Sequence, residues 1–207
     1  NAVFSDLVKK YPRTPEGVNS LWRSGQCQRR HLQALVVAAS KAGGANDEIN
    51  KSLTRAHTGL VTMVSQLTAQ AKKLPAGSQA NLRLIYEAAW CCRILGQREF
   101  RSASARIGKD ARAMALVRKS SQTVGGLDTS KAASPAVSPR NVPVQESEAD
   151  AMKLLQQVIA LAPQSAIAAR SRFELAEMLA YRRQHNQATE LLETILENSP
   201  PEDLAQK

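Results

Sequence analysis

The chain has 207 residues, of which 43% are hydrophobic and only 4% aromatic, and carries a net charge of +10. That is enough apolar material for a core or a run of linked cores, while the few aromatics and the lack of alternating β-branched runs exclude an extensive sheet. Charge interrupts the apolar pattern every few positions, so nothing reaches the roughly 20 uncharged residues that span a bilayer, and the expected fold class is all-α, built from stacked antiparallel helical hairpins.

Val3, Phe4, Leu7 and Val8 read as the second half of a hairpin whose first half is missing. With Asn1 at the start in place of methionine, the sequence is read as part of a longer chain, so the lack of a leader here says nothing of compartment. A helix is predicted over residues 15–41, with Thr14 as N-cap, Pro15 at the first helical position and Gly43-Gly44 beyond its end. Val18, Leu21, Trp22, Gly25, Leu32, Leu35 and Ala39 fall near one face of it. Residues 47–74 repeat apolar side chains at steps of three and four, from Ile49, Leu53, Ala56 and Leu60 to Met63, Leu67, Ala71 and Leu74, which marks a single buried stripe. These two helices form the first predicted hairpin. A second is expected from residues 78–95, closed by Gly96, and residues 97–119. Residues 122–147 then carry Pro135, Pro139, Pro143 and Gly125-Gly126 with few large apolar side chains, the composition of a flexible linker or long exposed loop. The stretch divides the charge: residues 1–121 are net +13 and residues 148–207 net −3.

Chemistry-bearing constellations are sparse. His31, His57 and His185 fall in separate elements without a Cys, Asp or Glu at ligand spacing. Neither a nucleophile elbow, a phosphate-cradling glycine loop nor a dinucleotide fingerprint occurs, so the expectation is a protein that is not an enzyme and needs no metal or cofactor. Cys27, Cys91 and Cys92 are too few for a disulfide framework and read as small buried hydrophobes. At 100° per residue, Arg98, Arg101, Lys109 and Arg112 lie within about 80° of one another, opposite Phe100, Ala103, Ile107, Ala111 and Met114. That basic face reads first as a solvated surface. Its functional reading is an anion-binding strip, extended by Arg29, Arg30, Lys72 and Lys73, for nucleic acid, an acidic protein segment or anionic head groups. Trp22, Tyr86 and Trp90 sit on apolar stripes and are expected to pack between helices.

A repeat is legible in the C-terminal part. Leu155, Val158, Ile159 and Pro163 stand at the offsets of Leu192, Ile195, Leu196 and Pro200, 37 residues on, and Phe4, Leu7, Val8 and Pro12 show the same spacing. Together with the joint Tyr11-Pro12-Arg13-Thr14-Pro15 and the run Phe173, Ala176, Leu179, Ala180, Tyr181, Ala188, Leu191, Leu192 and Ile195, this resembles the tetratricopeptide-repeat family. The likeness is to its bacterial cell-envelope variety, of the outer-membrane assembly type, and is good over residues 149–200, fair over 1–25 and weak between. The resemblance implies an α-solenoid whose concave face, lined by the first helix of each pair, receives a protein or peptide, a scaffold for protein–protein interaction in the cell envelope. Pro12, Pro75 and Pro163 are not spaced by multiples of the repeat, which implies lengthened middle hairpins. The alternative is a basic helical-repeat protein that binds nucleic acid or another polyanion through residues 1–121.

Overall fold

The computed structural model describes residues 6–8, 10, 11, 14–41, 47–122 and 138–197, with the side chains of residues 112–122 and 140 left out. Among the described residues a helical segment at 6–8 and 10 precedes six longer helices: α1 (Pro15–Lys41), α2 (Asp47–Ala71), α3 (Gln79–Gln122), α4 (Glu146–Leu161), α5 (Ala166–Tyr181) and α6 (His185–Glu197), with a short 3-10 turn at Pro139–Asn141 before α4. No strand occurs among the described residues. Each helix packs on its sequence neighbours, and α3 also touches α1 and α5. The result is an all-α stack of three hairpins, α1/α2, α3/α4 and α5/α6, with α1, α3 and α5 side by side in one layer and α2, α4 and α6 in the other.

Local chemistry sets the ends of these helices. The hydroxyl oxygen of Thr14 accepts from Gly17 N at 3.3 Å, the predicted N-cap ahead of Pro15. Between α2 and α3 the buried Asn81 donates to Ala71 O at 2.8 Å and accepts from Gly77 N at 3.3 Å. One side chain thus closes both helix ends across a turn whose Gly77 takes φ 74, a backbone conformation that glycine adopts without strain. Ser165 caps α5 by accepting from Ala168 N.

Two apolar clusters share α3. Leu21 and Leu32 of α1, Leu60 and Leu67 of α2, and Leu84, Ala88 and Cys91 of α3 form the first. Ala89 and Cys92 of α3, Leu155 of α4, Leu175 and Leu179 of α5 and Ala188 of α6 form the second. Each fully buried leucine contributes roughly 1.5–3 kcal/mol, and α3 draws on both sides because neighbouring positions on a helix point about 100° apart.

The predicted second hairpin is corrected. Gly96 does not end a helix: α3 runs through it unbroken to Gln122. A glycine stops a helix by adopting the left-handed conformation, and among the described residues Gly77 is the glycine with positive φ. Gly96 instead makes room. A Cβ there would lie 2.8 Å from the backbone nitrogen of Glu148 and 3.0 Å from its Cα, so the missing side chain lets the first turn of α4 rest directly on α3. The pairing partner of α3 is therefore α4, and residues 123–145 connect the two within one hairpin. Residues 123–137, the body of the expected linker, lie outside the described residues. From 138 onward the chain is held: Val142 is buried, and Arg182 donates to the carbonyls of Pro139 at 2.9 Å and Val142 at 2.6 Å while pairing with Glu148.

In the repeat, Leu155, Val158 and Ile195 are buried, as the offsets require. Leu192 and Leu196 are 40% and 69% exposed, because no described element packs beyond α6. Phe4, Pro12 and Pro200 lie outside the described residues. Cys27 is exposed, against the expectation of a buried thiol, whereas Cys91 and Cys92 are buried.

Substituting Gly96→Ala tests the α3–α4 contact. The clash is with backbone, so the substitution is expected to lower unfolding stability by about 1–3 kcal/mol in spite of alanine's helix advantage of about 1 kcal/mol. A urea titration showing a gain in stability would refute the close approach.

Candidate binding groove

The layer formed by α1, α3 and α5 carries an uninterrupted stripe on its middle helix. Arg83, Tyr86, Trp90, Arg93, Gln97 and Arg101 follow at steps of three and four residues, which keeps them on one side of α3. Gaps between the parallel helices open on either side of this crest.

Near the start of α3 the stripe is closed by the protein's own groups. Trp22 of α1 has the guanidinium carbons of Arg23 and Arg83 at 4.6 and 5.7 Å from its ring centre. Trp90 has those of Arg29 and Arg93 at 4.8 and 5.1 Å, cation–π distances. Arg29 Nε also donates to Glu87 Oε1 at 3.0 Å, and Arg93 pairs with Glu174 and Glu177 of α5. Ion pairs and cation–π contacts thus link α1 to α3 and α3 to α5. The core-packing role expected of Trp22 and Tyr86 holds in part, since both are half-buried against the first cluster. Trp90 is instead gripped between arginines on the open face.

Glu87 lies beneath Arg29 with 2% of its side chain exposed. Gly25 of α1 makes this possible: a Cβ there would come within 3.0 Å of the Glu87 Cγ. Burial raises the Glu87 carboxyl above its ordinary value, against the opposing hydrogen bond and charge of Arg29.

Toward the other end, where Lys41 closes α1, the crest carries Gln97 and Arg101 between two cavities. One, of about 480 Å³ between α1 and α3, is lined by Val36, Val37, Ile94, Lys41, Arg98 and Arg101. The other, of about 560 Å³ between α3 and α5, includes Phe100, Met178, Tyr181, Gln97 and Arg101. Phe100 meets Tyr181 edge-on at 5.3 Å, and the guanidinium carbon of Arg182 lies 5.0 Å from the Phe100 ring centre.

The predicted basic face is redistributed by this packing. Arg98 and Arg101 both line the α1–α3 cavity, but Arg98 turns to α2, donating to the Leu53 carbonyl at 3.0 Å beside Glu99 in a further pocket. Lys109 is exposed about 12 Å further along the axis at 1.5 Å per residue. The side chain of Arg112 lies outside the described residues. Of the proposed extension, Arg29 is held by Glu87 and Arg30 is exposed, while Lys72 and Lys73 stand at the opposite end of the layer, in the turn between α2 and α3. Ala111, placed on the apolar side, is exposed among the described residues.

Arg83, Arg93 and Val37 were not among the residues that the sequence singled out. For the two arginines the signal was the spacing from 83 to 101, which a helix break at Gly96 divides into two segments of unrelated phase; Val37 lies on α1, outside that spacing.

The thiols of Cys91 and Cys92 are deeply placed: burial pushes Cys91 well up and Cys92 up to about 12, so both are protonated near neutrality. His57 is lowered by burial and by Arg98. Among the described residues no three His, Cys, Asp or Glu side chains gather as a metal would need, and no helix is long and apolar enough to cross a membrane. Compared with known protein families, curated proteins and solved structures, the chain matches none.

The raised Glu87 carboxyl carries a pH signature. The folded state keeps its proton where the unfolded chain, near 4.5, has lost it. Its contribution to stability is therefore present below that pH and lost as pH rises through the folded value. Glu87→Gln is expected to remove this slope, so that its stability relative to the parent improves as pH is raised above about 4.5. Urea denaturation at a series of pH values measures it, and an unchanged slope would show that ionisation of Glu87 is not coupled to folding.

Proposed function

We propose that the chain is a non-enzymatic, tetratricopeptide-like scaffold that holds a polypeptide partner against the face formed by α1, α3 and α5. The observation that carries this reading is the side-by-side parallel packing of the first helix of each hairpin, which leaves two lined cavities along the crest of α3. A hairpin cannot bury its apolar face alone. Stacking therefore generates such an extended surface, and function in helical repeats resides there. The alternation of layers and the Thr14-Pro15 helix start agree with the tetratricopeptide resemblance.

Nucleic acid is the second reading, favoured by net +13 over residues 1–121. The geometry favours it less. Stacking on bases needs free aromatic faces, and the rings of Trp22 and Trp90 are each flanked by two arginines of the protein itself.

Affinity capture on the tagged chain, with and without nuclease, separates the two. The expected outcome is a discrete protein set that survives nuclease, is lost with Arg83→Glu/Arg101→Glu on α3, and is kept with Lys51→Glu/Arg55→Glu on α2. Loss of every partner on nuclease treatment would replace this reading with the polyanion one.

A further inference from the structure

Resting on that reading, we infer that the groove selects an acidic polypeptide segment that presents a carboxylate to Arg101 and an apolar side chain to each of the cavities flanking it. The two cavities share Gln97 and Arg101 as their common wall, so a segment crossing α3 there meets an apolar hollow, a cation and a second hollow in succession. Val36, Val37 and Ile94 supply the first hollow. Val37 is 54% exposed, an aliphatic side chain left in water beside two arginines and a lysine. Phe100, Met178 and Tyr181 supply the apolar part of the second, where Glu177 and Glu148 also reach the wall but are already paired with Arg93 and Arg182, and Tyr181 is likewise 54% exposed.

The charge of the occupant follows from which cations are already matched. Arg29 is satisfied by Glu87, and Arg93 by Glu174 and Glu177. Among the described residues Lys41 and Arg101 have no carboxylate partner, and Arg98 is engaged by a neutral carbonyl. Lys41 and Arg101 therefore stand at the α1–α3 cleft with no Asp or Glu among the described residues that line it, while Arg98, turned to the Leu53 carbonyl, shares a further pocket with Glu99. A carboxylate placed in the cleft gains charge-assisted hydrogen bonds. A phosphate polymer would satisfy the charge but leave the apolar hollows unfilled, and a neutral peptide would fill the hollows but leave the charge.

Selection of phage-displayed random dodecapeptides on the full chain, followed by anisotropy titration of the enriched peptide, tests this. Enrichment of Asp or Glu between aliphatic or aromatic residues is expected. Binding should weaken at least about tenfold in Arg101→Glu, should weaken with Arg101→Gln and Val37→Asp, and should change by less than about twofold in Arg55→Glu, which alters net charge equally on α2. Far-UV circular dichroism checks that each variant remains folded. Neutral or basic peptides whose binding is lost with Val37→Asp and untouched by Arg101→Gln would overturn the acidic specificity and leave the groove reading standing. Failure to enrich any peptide, with an oligothymidylate bound through Arg101, would overturn both.

Discussion

Contact between the first turn of α4 and the backbone of α3 at Gly96 determines how the remaining helices can stand. Because no side chain intervenes, α4 lies against α3 closely enough for Glu148 to be buried, and a buried carboxylate demands a partner. Arg182, just after α5, provides it, and spends its other donors on the carbonyls of Pro139, Val142 and Pro143. One guanidinium thereby ties the end of α5, the start of α4 and the chain leading into α4. Parting such a buried pair by removing one member costs about 3–5 kcal/mol in general. With α4 fixed on one flank of α3 and the α1/α2 hairpin on the other, α5 has one place left, beside α3 in the same layer.

The groove follows from that arrangement. Ion pairs hold its start shut: the basic first part of the chain meets the acidic last part through Arg93 with Glu174 and Glu177, and Arg29 covers the buried Glu87 inside the first part itself. At the Lys41 end the buried Glu148–Arg182 pair lies at the α3–α5 cavity, while Lys41 and Arg101 stand beside the α1–α3 cavity with no carboxylate partner among the described residues. The asymmetry is chemical as well as geometric, since matched charges contribute to packing while unmatched ones remain to attract a partner.

Much of the fold was legible along the chain. The apolar stripes of α1 and α2, the Thr14-Pro15 start and the small-residue pattern of α5 state their helices through local periodicity and capping, which a sequence displays directly. The 37-residue offset gave the equivalence of α4 and α6, both second helices of their pairs. The groove was less legible. Arg98 and Arg101 share a helix face by counting, yet one bends to the Leu53 carbonyl of α2 and the other stands over both cavities, a difference set by neighbours remote in sequence.

The sequence alone therefore determined an all-helical chain, its helix faces and the concentration of positive charge before residue 121, because these depend on residues within a turn or two of each other. The tertiary structure alone decided that Gly96 is a contact and not a stop, that α3 pairs with α4, and which arginines are matched by carboxylates. A glycine in a helical pattern has two readings, cap or close approach, and the backbone that arrives against it comes from 52 residues further along the chain, at Glu148.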